Sequence, residues 1–288
     1  MEIGIGLPST IPAATGADVL TWARDADEAG FSTLGTLDRV VYGNHETIPT
    51  LAAAAAVTSR IRLTTAILIS PYRGNGTLLA KQLASVDSFA TGRLTVGIAV
   101  GGREDDYTAT GTDFHSRGAD FDKQLTDMHE VWAGDSRGTA GAVGPAPQRP
   151  GGVPLLMGGQ SPAAFRRMVS HGAGWIAGGG GPSMFAQAVG PARQAWKDGG
   201  RTGEPRLVSL AYYALGPDAD TLAQDYLGDY YAFAGDYGPM VVGGAAKSEA
   251  AVREQVAGFA DAGCDELILF PCSADPDQLK RLADVTLG

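Results

Sequence analysis

The stretch that decides the fold runs from 154 to 180, PLLMGGQSPAAFRRMVSHGAGWIAGGG. With Val153 ahead of it, a short apolar run at 153–157 stops at Gly158-Gly159. Gln160 and Ser161 follow, and a helical pattern begins at once with Pro162 in its first position. Pro suits the first turn of a helix, because the N–H it lacks has no partner there anyway. A second apolar run at 175–177 then ends on another glycine run, Gly178 to Gly181. Two short apolar runs joined by one amphipathic helix form a βαβ unit. Such a unit places its strands parallel, in a sheet covered by helices.

The same rhythm extends in both directions. Apolar runs at 3–7, 33–36, 63–69, 94–100, 207–214 and 266–270 join those at 153–157 and 175–177, giving eight strand candidates. Helical patterns fall between them at 18–29, 47–59, 77–89, 120–132, 162–170, 183–197, 221–233 and 249–262. Gly30, Gly172, Gly199 and Gly263 end four of these, where a left-handed cap is easiest. Eight β-then-α units predict a (β/α)8 TIM barrel, a fold of about 250 residues; a doubly wound open sheet is the rival, usually with fewer strands. The stretch 134–152 reads as an irregular connection, with the strand rhythm unbroken on both sides, so residues 1–288 are expected to form one domain.

Composition narrows the function. A net charge of −10 argues against nucleic acid or an anionic membrane as the main partner. The two cysteines, Cys264 and Cys272, show neither metal spacing nor a disulfide framework. The start lacks a basic region followed by an apolar one, and no segment reaches the ~20 apolar residues of a membrane span. A cytoplasmic protein is expected. The four histidines show no i, i+4 metal pairing, so no metal site is expected. Nucleophile-elbow, phosphate-loop and dinucleotide fingerprints are absent as well.

In a barrel, ligands sit at the C-terminal ends of the strands. Three stretches fall there. Gly158 and Gly159 would let backbone N–H groups approach an anion, with Ser161 as cap or donor and Gly178–Gly181 closing the other side. A tight turn and an ordinary cap account for these residues equally well. The strand at 94–100 ends in Gly101-Gly102, followed by Arg103 and then by Glu104 and two aspartates. Glu104 is either a carboxylate at the mouth or part of a solvated acidic helix start. Asp38 and Arg39 end the second strand and form either a site pair or a surface ion pair.

Taken in order, these motifs are recognisable. DEAGFSTLGTLDR (27–39), SRIRLTTAILISPYR (59–73), the LAKQLASVDSFATGRLTVGIAVG signature (79–101), the 144–179 stretch around PLLMGGQSPAAF and AGCDELILFP (262–271) span the chain. The chain resembles the bacterial luciferase-like oxidoreductases, which use FMN or the deazaflavin coenzyme F420. The resemblance implies a barrel with the cofactor ring over its mouth, resting on a non-prolyl cis peptide at Ala66–Ile67. It implies a phosphate site at Gly158, Gly159, Gln160 and Ser161, assisted by Gly178 and Gly179, with Gly101 beside the ring. Glu104 matches a carboxylate near the ring in the deazaflavin enzymes. Asp38 matches the Asp of a family Asp-His pair whose His is Arg39 here; substrate binding or stabilisation of the reduced ring then replaces imidazole chemistry. The implied activity is oxidation or reduction of a small organic substrate, by oxygenation with FMN or hydride transfer with F420. A reductase partner and a homodimer are implied as well. F420 carries an oligoglutamate tail, for which Arg39, Arg73, Arg103 and Arg117 are candidate ligands. Two other readings stay open: a non-catalytic flavin-binding paralogue, and a barrel lyase or isomerase acting on a phosphorylated substrate. The latter needs a Schiff-base lysine or a metal cluster, and Lys81 and Lys123 both fall on helical patterns.

Overall fold

A computed structural model describes residues 1–288. Eight strands, β1 (Glu2–Gly6), β2 (Thr33–Thr36), β3 (Arg62–Ile69), β4 (Leu94–Ala99), β5 (Leu155–Gly158), β6 (Gly174–Ala177), β7 (Arg206–Tyr213) and β8 (Glu266–Pro271), close into a parallel barrel in sequence order. β1 pairs with β8 from Glu2↔Glu266 to Ile5↔Leu269, which completes the ring and leaves no free edge. All eight expected strands form, each within two residues of its expected ends.

Eleven helices surround or cap the ring. α1 (Gly16–Ala29), α2 (Thr47–Val57), α3 (Gly76–Phe89), α5 (Arg117–Ala133), α6 (Pro162–His171), α7 (Gly181–Asp198), α8 (Ala219–Tyr230) and α10 (Glu249–Asp261) correspond to the expected patterns. Three more are short or follow turns: α4 (Glu104–Thr110), α9 (Tyr237–Gly244) and α11 (Pro276–Thr286). α8 ends before Phe233; the chain turns through a single 3-10 turn at Ala232–Ala234 and re-enters helix in α9. Of the four terminal glycines, Gly30 and Gly263 are left-handed, whereas Gly172 and Gly199 keep negative φ. The 134–152 connection is tied to the barrel at several points. Asp87 accepts from the Gln148 N–H at 2.8 Å, and Arg137 pairs with Asp127 at 2.7 Å. No helix is long and apolar enough to cross a membrane.

The core has two layers. The larger one lies between barrel and helices and includes Trp22, Leu63, Val96, Phe121, Trp175 and Phe185. The smaller fills the barrel and continues upward: Leu156, Ile176, Leu210, Ile268 and Phe270 connect to Tyr212, Tyr226 and Tyr230. This inner layer therefore reaches the segment after β7 and holds it across the C-terminal mouth. The opposite end is closed by charge. The buried Glu266 carboxylate accepts from Ser32, Thr33, Arg62 and Arg206 at 2.5–2.9 Å, and Glu2 completes the cluster. Charge at the N-terminal end of a barrel belongs to stability, whereas ligands sit at the other end.

Candidate functional site at the C-terminal mouth

The ladder between β3 and β4 shifts register between Thr65 and Leu68. Ala66–Ile67 lies inside this irregularity, and its peptide bond is cis. Both residues line a cavity of about 280 Å³ at the barrel mouth. Leu37, Ile69 and Leu210 extend its apolar wall, and Gly178 and Gly179 form one edge. Tyr230, Tyr231, Phe233 and Tyr237 cover it from the strap after α8. Arg103 is its cationic residue.

The glycine stretch of β5 and β6 reaches the same end of the barrel. Gly158 faces Ile176 across the ladder, so the residues that follow each strand run side by side. A Cβ on Gly158 would stand 2.9 Å from Ile67 Cδ1 and 3.0 Å from Ala99 Cβ, so a larger residue here would push the Ile67 side chain aside. Gly159 has φ +103°, a conformation open to glycine, and its carbonyl accepts from Trp175 Nε1 at 2.8 Å. Ser161 caps α6 through the Ala164 N–H at 3.2 Å. The backbone N–H groups of Gly159, Gln160, Ser161, Gly178, Gly179 and Gly180 have no acceptor within the protein. They precede two helix N-termini, those of α6 and α7. Free amides ahead of a helix N-terminus suit an anion such as a phosphate. Gln160 itself turns outward and lines the groove between α6 and α7. Gly101 stands against Ile69, and its neighbour Gly102 forms the cavity wall.

The charged candidates separate. The Asp38 side chain is 1% exposed and fully engaged: it accepts from the Ile69 N–H, from Tyr72 Oη and from Arg73, each at 2.8 Å. It ties the end of β2 to the end of β3. Arg73 also pairs with Glu46 at 2.6 Å, and burial with Asp38 nearby pushes the Tyr72 phenol far up. Arg39 pairs with Asp105 at 3.3 Å and donates to the Tyr230 carbonyl at 3.1 Å. Its guanidinium lies 4.8 Å from the Tyr42 ring centre and 5.5 Å from that of Phe233. Glu104 stands exposed in the first turn of α4 and does not line the cavity. Its neighbour Arg103 does, and sequence reasoning gave that residue only a place among the tail-binding arginines. Arg103 donates to the same Tyr230 carbonyl at 3.3 Å and stacks 3.6 Å from the Phe233 ring centre. Arg117 is turned away, stacked on Phe114.

Sequence reasoning missed the strap. It extended one helix through Phe233, and nothing in the apolar spacing marked the break. The tyrosines at 226, 230, 231 and 237 were the available signal, since amphipathic rings with polar tips cluster at ligand sites. Burial pushes Tyr230 up to about 12, with Arg103 and Arg39 pulling the other way. Its hydroxyl therefore keeps its proton at neutral pH. No lysine lines the cavity, and no group of three His, Cys, Asp or Glu side chains could hold a metal.

A closed eight-stranded parallel barrel with a mouth cavity over β3, under an aromatic strap, defines the structural class. A family model described as luciferase-like monooxygenase matches residues 1–281, and the chain belongs to that family. Among its relatives is the F420-dependent glucose-6-phosphate dehydrogenase of Beutenbergia cavernae, 28% identical over 192 residues, which are 61% of this chain and 56% of that one. Among solved structures, an F420-dependent secondary alcohol dehydrogenase in complex with an F420-acetone adduct superposes with a TM-score of 0.84 at 16% identity, covering 99% of this chain and 98% of that one. The oxygenating constituent of 3,6-diketocamphane monooxygenase from Pseudomonas putida, in complex with FMN, gives 0.76 at 16% identity, covering 99% and 96%.

Proposed function

We propose that this protein is an oxidoreductase that binds F420 at the mouth and exchanges a hydride with a small organic substrate held beneath the aromatic strap. The observation that carries this reading is the pairing of two features at one end of the barrel. Six unpartnered backbone N–H groups follow β5 and β6, and an apolar, aromatic cavity lies beside them over Ala66–Ile67. The first suits a phosphate and the second a flat ring. When bound, the deazaflavin supplies the two-electron redox chemistry; the protein supplies binding, orientation and exclusion of water. Gly159–Ser161 and Gly178–Gly180 hold the phosphate, and Ile67 and Leu37 support the ring. Tyr230 offers a hydroxyl that stays protonated, and the strap keeps water out. Asp38 acts by fixing the ends of β2 and β3. F420 is preferred over FMN because the dehydrogenase relative at 28% identity is named for it.

A second reading keeps the same site with reduced FMN from a partner reductase and an oxygenated product. It is favoured by the family description and by the FMN-bound barrel of the same fold. Titration of the purified chain with FMN and with F420, followed by fluorescence, tests both. Tight binding of F420 alone supports hydride transfer, and tight binding of FMN alone supports the oxygenase. Binding of neither removes the cradle assignment. A lyase or isomerase on a phosphorylated substrate would need a lysine or a cluster of metal-ligating side chains, and the cavity lining has neither.

A further inference from the structure

Arg103 is a cation without an anion. Every carboxylate near it is committed elsewhere. Asp38 is taken by Arg73, and Asp105 by Arg39. Asp106 accepts from the Val40 and Val41 N–H groups at 3.0 and 2.7 Å. Glu104 points to solvent. Arg103 makes one hydrogen bond, to the Tyr230 carbonyl, and its buried Nη1 has no partner. Arg39 shares that carbonyl and the Phe233 ring, so two like charges meet at one point, and Asp105 pairs with Arg39 alone. Burial and the Arg39 charge both weaken the hold of Arg103 on its proton. Desolvating a guanidinium without a counter-charge is costly, and such residues are seldom left unpaired inside a protein. The surrounding rings, Tyr230, Tyr231 and Phe233, stack on a guanidinium but do not neutralise it.

We propose that Arg103 receives the carboxylate of an anionic substrate with a flat apolar body, which lies among Tyr230, Tyr231, Phe233 and Tyr237 in the mouth cavity. This deepens the reading above by naming the substrate class of the same site. The anion completes an ion pair that the protein leaves open, and the planar fork of arginine suits a carboxylate. Aromatic walls favour a planar body over a branched one.

The test is calorimetric titration of the full-length protein with benzoate and with benzamide, which match in shape and differ in charge. Wild type should bind benzoate at least about tenfold more tightly than benzamide, as a charge-assisted hydrogen bond is worth that much. Arg103→Gln should abolish the preference in a protein that still unfolds cooperatively, while Arg103→Lys should keep part of it. Equal binding of the two probes by wild type, or no binding of benzoate, overturns the proposal. The carboxylates of the F420 tail are the other source of this chemistry. If Arg103→Gln weakens F420 but not its chromophore stripped of phosphate and tail, the anion is the cofactor's and the substrate assignment fails. Unchanged F420 affinity supports it. Failure of F420 to bind at all, with benzoate selectivity intact, refutes only the cofactor reading.

Discussion

Replacing Asp38 by Asn separates a structural carboxylate from a catalytic one. The side chain is fully buried and holds three donors at 2.8 Å, one of them the Arg73 guanidinium. Asn keeps the shape and one acceptor but removes the charge. Deleting one partner of a buried ion pair costs about 3–5 kcal/mol. Arg73 retains Glu46, which is half exposed, so the loss belongs at the lower end, about 3 kcal/mol. For a chain of this size that lowers the melting temperature by roughly 6–10 °C. Urea denaturation followed by circular dichroism measures the change. Arg73→Met and the double variant complete the cycle, and a coupling of about 1 kcal/mol or more identifies the pair as the source. Cofactor affinity should fall as well, because Asp38 anchors the Ile69 N–H just beyond Ala66–Ile67, the segment proposed to support the ring. An Asp38→Asn protein with wild-type stability and undisturbed cofactor binding, yet no turnover, would refute this reasoning and make Asp38 a reacting group.

The remaining expectations concern both ends of the barrel. Gly159→Asp puts a negative charge and a strained φ into the cradle, so FMN or F420 should lose at least about tenfold in affinity while riboflavin, which lacks the phosphate, changes little. Equal losses for riboflavin would place the phosphate elsewhere. Glu104→Gln should leave kcat within about twofold, since an exposed side chain off the cavity wall has little part in the barrier; a hundredfold loss would return it to the mouth. At the far end, burial works to raise the Glu266 carboxyl, but hydrogen bonds from Ser32, Thr33 and Arg206 and the Arg62 charge hold it below the usual range. A depressed folded value stabilises the protein at neutral pH, and that stability drains away as pH falls below about 4.3. Glu266→Gln should therefore be less stable at pH 7 and lose less between pH 5 and 3 than wild type; parallel curves would show that Glu266 contributes no linkage.

The barrel was legible because each strand is buried on both faces and each helix on one, so apolar run length and 3.6-residue spacing report the topology directly. The glycine geometry was legible for a related reason: the close packing of Gly158, the positive φ of Gly159 and the Ser161 cap rest on backbone and cap geometry, which are local properties of sequence. The charged candidates were harder to read because their roles depend on partners far along the chain. Asp38 and Arg39 are adjacent, yet Asp38 turns to Arg73 and Arg39 to Asp105 and Tyr230. Glu104 and Arg103 are adjacent too, and a helix start sends one to solvent while the other enters the cavity. Spacing cannot assign such neighbours, because opposite directions from one backbone point are equally compatible with the same residues. The strap was hidden for the converse reason. Its tyrosines continue the apolar pattern of α8, and only their packing onto the barrel interior makes the chain turn at Tyr231 and cross the mouth. An arginine without a carboxylate emerges only when every charge around it has been paired, which is why sequence motifs give Arg103 no more than a place among four candidate tail ligands.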